Sequence, residues 1–370
     1  MAIIIMSLAA AALFLLQQRL YAKLWNKEVA VSLRFRDDTV RAGEQTVLAE
    51  VVENRKILPL PALKVKFHCS SDLIFERDEN AQVSDMYYRN DLFSLMPYRR
   101  ITRKHRITCA RRGYYGIRGI DLVGADLFFS KEMVESRRGE TWIHVLPAFF
   151  QSERLDVALR QVSGELAHRR HLLTDPFAFR GIREYTPFDE IKSVNWKASA
   201  KSDELKVNVH DYTAVSAVSI FVNVNDWGWS GSAGHIEKAI SIAFYLCSLY
   251  LHGGVGVSLY VNGRDALHGS ILCLEENRDH KQLEQIGKML ARIDLRQGAE
   301  PFGHFLGQLN QQTDRMIIII SPDWLDDVQK LLCQLDSRRD FIWICPCHKE
   351  TDVKVRPELE ARTILLPDPV

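Results

Sequence analysis

Hydrophobic and polar residues follow three different patterns along this chain of 370 residues. Residues 2–16 contain no charged side chain. From residue 29 to residue 147, short runs alternate between apolar and polar positions, which is the period of strands with one buried face. From residue 217 onward, apolar runs of strand length alternate with segments of helical period. The patterns predict a multidomain chain: an N-terminal transmembrane helix, an all-β sandwich and an α/β domain with a parallel, doubly wound sheet.

The predicted boundaries follow the changes of pattern. Residues 1–27 are a transmembrane anchor with its juxtamembrane segment, and residues 28–150 are the β-sandwich. Residues 151–210 hold a helix and a segment rich in charge and aromatics, and residues 211–370 are the α/β domain. The polar stretch 76–90 within the sandwich is interpreted as an insertion or mobile loop.

The charges beside the N-terminal apolar run favour an uncleaved anchor. The run is short for a membrane span, which takes about 17–25 residues, so extending it through Leu20 requires the Arg19 side chain to reach the headgroups. The positive charges, including Lys23 and Lys27, all follow the apolar run, and no small-residue cleavage site follows it. By the positive-inside rule this predicts a single-pass cell-membrane protein with its N-terminus outside and the bulk of the chain cytoplasmic. A cleaved secretory signal is the alternative.

Composition excludes several classes of protein. The chain is 46% hydrophobic and 26% charged with a formal net charge of +1, which describes ordinary globular domains and gives no overall attraction to nucleic acid. Seven cysteines lie without a disulfide spacing, several among leucines, as reduced core residues do in the cytoplasm. Cys345 and Cys347 precede His348, but no second pair at ligand spacing accompanies them, so a metal site is not predicted there.

A local basic cluster is the exception to this balance. It has no acidic residue among its members, which are Arg99, Arg100, Arg103, Lys104, Arg106, Arg111 and Arg112. One interpretation is a strand pair whose long basic side chains face solvent and protect a sheet edge. The other is a patch that contacts anionic lipid headgroups. Nucleic acid is disfavoured, since no stacking aromatics are interleaved in an RNA-binding pattern.

Residues 175–209, called here the signature segment, are the most distinctive part of the sequence. They read DPFAFRGIREYTPFDEIKSVNWKASAKSDELKVNV. The order G-I-R-E-Y-x-P-x-D-x-x-K-x-x-x-W-K-x-S-A-K resembles the bacterial family called domain of unknown function 58. Two motifs of that family's immunoglobulin-like region also match, R-R-G-Y-Y-G at 111–116 and D-x-F at 126–128. The resemblance implies a von Willebrand factor A-like domain after the signature segment and a partnership with a MoxR-type AAA+ ATPase.

The signature segment supplies the candidate site residues. A partner or ligand surface is one interpretation of its charges and aromatics, and a structural network of salt bridges is the other. Lys192 stands where the family more often has arginine, which keeps the charge but loses the bidentate fork. The candidates are Arg183, Glu184, Tyr185, Asp189, Lys192, Trp196, Lys197 and Lys201.

Neither a metal nor a cofactor is predicted. The resemblance implies a cation site at the end of the first strand of the C-terminal domain, but Asn223 stands where an aspartate is expected, near Asn225 and Asp226. Losing carboxylates removes most of the affinity for a hard cation, so the site is read as degraded. The motifs of hydrolases, nucleotide-binding loops and zinc proteases are missing from the sequence, so no catalytic residue is assigned.

These features together with the resemblance predict a membrane-anchored interaction or adaptor protein rather than an enzyme, working with a MoxR-type ATPase in assembly or maturation of envelope proteins. An alternative is an enzyme or binding module acting on an anionic envelope precursor or lipid surface through the signature charges. In that alternative Glu184 and Asp189 are the candidate acid and base.

Overall fold

A computed structural model describes the chain except for residues 77–80, 84–85, 151, 160–173, 186–193, 202–203, 213–216, 227, 229–231, 280, 308–315, 337–340 and 369–370. The described residues form two compact units. The first comprises Met1–Ala148 with Gly287–Ile293, and the second comprises Phe149–Ile286 with Asp294–Val370.

The first unit begins with a long helix and continues as two β-sheets. Helix α1 spans Ala2–Leu24. The strands are β1 (Val29–Phe35), β2 (Thr39–Arg41), β3 (Gln45–Asn54), β4 (Leu60–Ser70), β5 (Leu73–Phe75), β6 (Ala81–Val83), β7 (Met86–Leu95), β8 (Arg100–Cys109), β9 (Gly113–Ala125) and β10 (Glu132–Leu146). One sheet has the order β1-β3-β8-β5 and the other β2-β10-β9-β4-β7-β6.

Both sheets of the first unit contribute to one hydrophobic core. Alternation explains how: in β3 every second residue from Thr46 to Asn54 is buried, and β7 shows the same period from Tyr87 to Leu95. Leu48 and Val52 of β3 share the core with Leu63 of β4 and Ile143 of β10. The described residues of the predicted sandwich therefore enclose a core between two sheets.

Helix α1 is long and apolar enough to cross a membrane. Its 23 residues have a mean hydropathy of 1.8 over an 18-residue window, none of which is buried. A signal sequence near an N-terminus meets the same criterion. The last turns differ from the rest of the helix, because Tyr21 is 1% exposed and belongs to the core between the sheets.

The second unit contains a hairpin and a six-stranded sheet with helices. Residues 153–159 form helix α2. The other elements are β11 (Thr174–Glu184), α3 (Trp196–Ser199), β12 (Lys206–Tyr212), β13 (Ala217–Val222), α4 (Ser232–His252), β14 (Gly256–Arg264), β15 (Ile271–Asn277), α5 (Lys281–Ala291, shared with the first unit), α6 (Phe302–Gly307), β16 (Met316–Ile320), α7 (Asp326–Asp336), β17 (Phe341–Cys347), α8 (Pro357–Glu360) and β18 (Thr363–Pro367). The six-stranded sheet has the order β15-β14-β13-β16-β17-β18.

The fold class predicted from the sequence is wrong. Strands dominate the described secondary structure, and the C-terminal sheet is mixed, because β15 pairs antiparallel with β14 while the pairs from β14 to β18 are parallel. The prediction passed from the strand before Arg264 directly to the helix at Lys281 and so omitted β15. Its sequence ILCLEEN alternates in burial, as an edge strand does when one face is covered. The prediction of a parallel, doubly wound domain of the von Willebrand factor A type is therefore wrong for this unit.

A second correction concerns residues 76–90. The sequence was interpreted there as a loop because it is polar. The structure instead has β6 and the start of β7 in this stretch, and β7 pairs with β4 from Met86 to Leu95. Exposed residues of β7 alternate with buried ones, but the buried ones include Arg89 and Asp91, so composition hid a period of two.

Candidate functional site

The described part of the signature segment is a β-hairpin with a short helix in its connection. β11 and β12 pair antiparallel, with Arg183 opposite Val207 and Glu184 opposite Lys206. The hairpin is extended by a bond from the Tyr185 amide to the Leu205 carbonyl oxygen, at 2.8 Å. The two ends of the signature segment, where apolar and polar residues alternate, are thus the two paired strands.

Local capping explains why helix α3 forms within this connection. The Asn195 side-chain oxygen accepts from the Ala198 amide at 2.9 Å, which satisfies one of the free donors at a helix start. The Ser199 hydroxyl accepts from the Lys206 amide at 2.8 Å and ties the helix to β12. Val194 and Val207 are buried beneath, so the short helix is held on a small apolar base.

One face of this region places several candidates in solvent. Trp196 is 65% exposed, and Leu205, directly before β12, is 47% exposed. Lys197, Lys201 and Glu184 are exposed, and Tyr185 is half-buried. The hairpin therefore presents an apolar ring among charges. We call this the hairpin surface; its members are Glu184, Tyr185, Trp196, Lys197, Lys201 and Leu205.

Three of the predicted residues cannot be placed on the hairpin surface. Asp189 and Lys192 lie outside the described residues. Arg183 has a described backbone in β11 but no described side chain. The proposed pairing of Glu184 and Asp189 as acid and base therefore stays a prediction.

Asn223, the first of the positions read as a degraded metal site, belongs to a buried network of polar side chains. The Asn223 amide group donates to the Ser321 hydroxyl at 3.0 Å and accepts from the Asn262 side chain at 3.0 Å. Asn225 also donates its backbone amide to the Asn223 side chain, at 3.1 Å. The amide at 223 thus bonds to neutral partners that suit an amide better than a carboxylate.

Asp226, the third residue of that set, has a structural role at the start of α4. Its carboxylate accepts from the Ser232 hydroxyl at 2.6 Å and from the Gly228 amide at 2.9 Å. These bonds lower the pKa of Asp226, the Ser232 bond most strongly. Cys345 and Cys347 are both buried, and burial raises the pKa of each thiol, to about 11 for Cys347.

A second cluster, which the sequence reasoning missed, lies inside the first unit. Glu50 of β3, Asp91 of β7 and His105 of β8 are all buried and their ligand atoms lie within 4.8 Å of one another. Each occupies an inward position of its strand, next to apolar neighbours that face the core. The available signal was the placement of charged residues in phase with buried ones.

The buried Arg89 and the half-buried Arg103 balance the carboxylate of Asp91 in this cluster. Arg89 donates from Nε to Asp91 at 2.6 Å, and Arg103 donates to the other oxygen of Asp91 at 2.7 Å. His105 bonds to Glu50 at 2.9 Å. Burial raises the pKa of Glu50, against the effect of the His105 hydrogen bond. We call Glu50, Arg89, Asp91, Arg103 and His105 the buried ion cluster.

This arrangement does not fit a divalent cation. Both oxygens of Asp91 already bond to guanidinium groups, and the two positive charges would repel a cation placed among the three ligands. The cluster is explained instead as an ion-pair network within the core, in which each removed partner would leave an uncompensated buried charge.

A pocket of about 790 Å³ opens beside the buried ion cluster. Its lining is mainly basic and includes the exposed Lys104 and Arg106 of β8. Phe75 forms an apolar wall and lies 5.0 Å below the Arg89 guanidinium. We call this the sandwich pocket; it is lined by Arg36, Val47, Phe75, Glu76, Arg89, Asp91, Arg103, Lys104, His105 and Arg106.

The structure divides the basic cluster of 99–112 into different roles. Arg99, Arg100 and Arg111 are exposed, whereas Arg112 is buried and donates to the carbonyl oxygen of Leu290 at 2.9 Å. In the part of the chain that the structure describes, β5 pairs with β8 at residues 107–109, and the Glu76 amide donates to the Arg106 carbonyl oxygen at 3.0 Å. Lys104 and Arg106 of β8 are exposed, and the edge-protection and lipid-patch interpretations of the cluster both stay predictions.

Comparison with known proteins leaves the family unassigned. No protein-family model matches the chain, and no curated protein sequence matches it. Membership in the domain of unknown function 58 family therefore stays a prediction, and so does the MoxR partnership that it implies.

Several solved structures align with about a third of this chain. The CARDB domain of the PF1109 protein from Pyrococcus furiosus, in complex with di-metal ions, is 16% identical over 32% of this chain and 90% of that chain, with a TM-score of 0.23. The sixth cohesin of Acetivibrio cellulolyticus scaffoldin B, in complex with a Cel5 dockerin, is 9% identical over 31% and 99%, with a TM-score of 0.23. A PapD-like domain of human CEP192 is 17% identical over 33% and 87%, with a TM-score of 0.20. These scores are too low to support an inference about function.

Proposed function

We propose that this chain is a membrane-anchored interaction protein. In this proposal α1 holds the first unit at a bilayer, the bulk of the chain lies in the cytoplasm, and the hairpin surface of the second unit binds a partner protein. The observation that carries the proposal is that the apolar helix and the β-sheets of the first unit share one core.

Two aromatic residues near the end of α1 support an anchor that is retained. Tyr21 is 1% exposed and Trp25 is 4% exposed, and both pack with the core residues of the two sheets. The Tyr21 hydroxyl donates to the Pro59 carbonyl oxygen at 2.9 Å. Cleavage after residue 27 would remove these rings from the core and expose the apolar surface that they cover.

Lys56 fixes the end of the anchor to the sheets. Its ammonium group donates to the carbonyl oxygens of Leu24, Trp25 and Lys27, at 2.8 Å for Leu24 and 2.7 Å for Lys27. These carbonyls lie at the C-terminus of α1 or just beyond it, where a positive charge interacts favourably with the helix dipole. A signal peptide destined for removal has no need of such a bond from the mature domain.

The hairpin surface has the composition of a protein-binding site. Tryptophan is enriched among the residues that contribute most to protein interfaces, which have a polar, solvent-accessible rim around an apolar centre. Trp196 meets that description, with Lys197 and Lys201 nearby. Burying its ring against a partner would remove a large apolar area from water.

For the partner we propose a MoxR-type AAA+ ATPase, and for the process the assembly or maturation of envelope proteins. The support for both is the resemblance of the signature segment. The hairpin surface supplies exposed side chains from the described part of that segment.

The test is a crosslinked affinity purification of the full-length chain from membranes, with and without ATP, read by mass spectrometry. We expect an AAA+ ATPase to be retained in a nucleotide-dependent manner. The Trp196→Ala variant should reduce its recovery on the order of tenfold, the usual size of a contact that is central to an interface. Leu267→Ala, at an exposed apolar position of the same unit, is the matched control.

Other outcomes would redirect the proposal. Equal recovery from both variants would exclude the hairpin surface as the binding site. Recovery of a lipid-linked precursor without an ATPase would favour the alternative, in which the signature charges bind an anionic envelope precursor.

The sandwich pocket favours a second candidate function, the binding of a small anionic group. Five of its lining residues carry a guanidinium or ammonium group and two carry a carboxylate. Pyrophosphate, compared with chloride at equal ionic strength, should raise the unfolding temperature of the full chain. Lys104→Ala with Arg106→Ala should abolish that rise, and Arg99→Ala with Arg100→Ala, basic residues outside the lining, should preserve it. No rise in the parent chain would eliminate this candidate.

A further inference from the structure

We propose that the loop between β9 and β10 inserts its tip, Leu127, Phe128 and Phe129, into the same bilayer as α1. The inference rests on the proposed anchoring by α1 and adds to it a second membrane contact, made by the β-sheets themselves. The ligand is a phospholipid bilayer.

The loop has an inverted distribution of polar and apolar residues. At its start the polar Asp126 is 1% exposed, whereas the next three residues, Leu127, Phe128 and Phe129, are 46%, 61% and 64% exposed; the polar Ser130 and Lys131 that follow are exposed. Surface connections normally carry polar and turn-forming residues outside, because apolar side chains there gain nothing from water. Three successive large apolar side chains at a loop tip indicate a surface that meets something other than water.

The buried Asp126 holds this inverted loop in shape. Its carboxylate accepts from the Ser130 amide at 2.7 Å and from the Ser130 hydroxyl. Its carbonyl oxygen accepts from the Phe129 amide at 3.2 Å, and Phe129 has a φ of 56°. A bulky residue rarely adopts that conformation. The polar bonds thus point inward and turn the apolar side chains outward.

The loop lies against the membrane-length helix. The rings of Phe128 and Phe14 are 5.6 Å apart between centroids. The Gln17 side chain donates to the Asp126 carboxylate at 3.1 Å, and the Gln18 side chain donates to the Ser130 hydroxyl at 2.9 Å. The exposed apolar surface of the loop is therefore continuous with that of α1, which selects a bilayer as its occupant.

Position along the helix gives the depth of insertion. Phe14 precedes Arg19, the first charged residue, by five positions. At 1.5 Å per residue, Phe14 lies about 7.5 Å nearer the membrane centre than Arg19 in an upright helix. Interfacial apolar groups insert about 5–10 Å into the boundary of headgroups and acyl chains. A loop tip level with Phe14 reaches this layer.

The charges next to the loop suit the headgroup layer. Lys131 follows the tip and is exposed, and Arg19 is an exposed residue of α1 on the same side of the apolar run. Cations at that level interact favourably with anionic lipids. The tip is apolar where acyl chains would be, and the first charges occur where headgroups would be.

The experiment places a benzophenone-bearing phenylalanine at position 128 or 129 of the full-length chain in phosphatidylcholine–phosphatidylglycerol liposomes. Irradiation and mass spectrometry then measure covalent lipid adducts. The same probe at Leu8 reports the insertion of α1. At Ile74, an apolar position of the other sheet that is 50% exposed, it gives the background. We expect adducts at 128 and 129 on the order of tenfold above those at 74, as for a group inserted among acyl chains.

The controls separate the two levels of the inference. Adducts at Leu8 but only background at 128 and 129 would overturn loop insertion and leave the anchor intact. Background at all positions would overturn the anchor as well. Crosslinks from 128 or 129 to a second copy of the chain in place of lipid would also overturn loop insertion.

A variant tests whether the apolar character of the tip is responsible. Phe128→Ser should lower the adducts at 129 several-fold while leaving those at Leu8 unchanged. Unchanged adducts at 129 would contradict the contribution of Phe128. The unfolding temperature is measured in parallel and should stay the same, because the side chain is exposed.

Discussion

The buried ion cluster is the least expected group of residues in the first unit. Charged side chains rarely occupy inward positions of strands unless they are paired, because desolvation of an isolated charge is costly. Among the described residues, Asp91 bonds to two guanidinium groups and Glu50 bonds to His105. The two carboxylates should therefore respond differently to pH and to substitution.

Glu50 should make the stability of the chain depend on pH. Burial raises the pKa of Glu50 above 4.5, its ordinary value. The contribution of this carboxyl is then fully present below 4.5 and is lost as pH rises through the raised pKa, where the folded chain must bury a charge. The Glu50→Gln variant keeps the shape without the charge, so its unfolding temperature relative to the parent should rise as pH increases over this window.

Glu53, which follows on β3, provides the control. A hydrogen bond from Arg55 lowers the pKa of Glu53, so this group stabilises the fold above the unfolded pKa and loses that effect as pH falls. Glu53→Gln should therefore show the opposite trend. A parallel response of the two variants would contradict the assignment for Glu50.

Arg89 should be essential for stability. It is 6% exposed and bonds to Asp91 at 2.6 Å. Breaking a buried ion pair typically costs about 3–5 kcal/mol, and since Arg103 remains bonded to Asp91 we take the lower end, about 3 kcal/mol. We expect Arg89→Met to lower the free energy of unfolding by that order in chemical denaturation. Arg36→Ala, which removes an exposed pair with Asp37, should have little effect, and equal losses would contradict the interpretation.

At the scale of elements, helix α1 belongs both to the predicted span and to the core. Its N-terminal half exposes apolar side chains, whereas Tyr21 and Trp25 are buried between the sheets. Gly124 of β9 makes room for the indole: a Cβ at that position would lie 2.3 Å from a Trp25 ring atom. This close approach explains why a glycine stands in a strand there.

The core role of Trp25 predicts a large loss on truncation. Trp25→Ala should lower the free energy of unfolding by about 3–5 kcal/mol, as the removal of a large buried ring does. Unfolding is measured in detergent or nanodiscs with the full-length chain. Leu16→Ala, at a position of α1 that is 62% exposed, should leave the unfolding of the sheets nearly unchanged. A small effect of Trp25→Ala would indicate that the helix end can leave the core.

Some elements could be predicted from the sequence and others could not. The period of two predicted β1, β3 and β8, because each has one buried face, and the apolar run of β16 predicted a strand buried on both faces. β15 was missed because only its alternate residues are covered and its exposed glutamates resemble a connection. Because β15 was omitted, the sheet was predicted to be parallel, whereas its antiparallel edge strand makes it mixed.

The candidate site divides in the same way. The sequence indicated the charges and aromatics of the signature segment, and the hairpin register of β11 and β12 came only from the structure. The pairing of Glu50 with His105 joins residues 55 positions apart, which no local pattern records. Non-local pairing of this kind depends on strand order, which periodicity does not determine.

At the scale of the whole molecule, the charges after the apolar run predict the orientation of the chain. Arg19 and Lys23 lie in the last turns of α1, and Lys27 lies between α1 and β1. By the positive-inside rule the chain after α1 lies in the cytoplasm. A reporter that works in the cytoplasm should therefore be active when fused after residue 370, and a reporter that works in the periplasm should be inactive there. Replacing the three cations with glutamine should reduce the proportion of chains in that orientation. Activity of a periplasm-specific reporter in the parent chain would contradict the proposed topology.

The burial of Tyr21 and Trp25 has a mechanical consequence for an anchored chain. Because the end of α1 is packed into the core of the first unit, a change in the tilt of the helix also reorients the sheets. A helix in a thinner bilayer tilts further to keep its apolar length covered. Membrane thickness would then determine the angle between the sheets of the first unit and the bilayer plane.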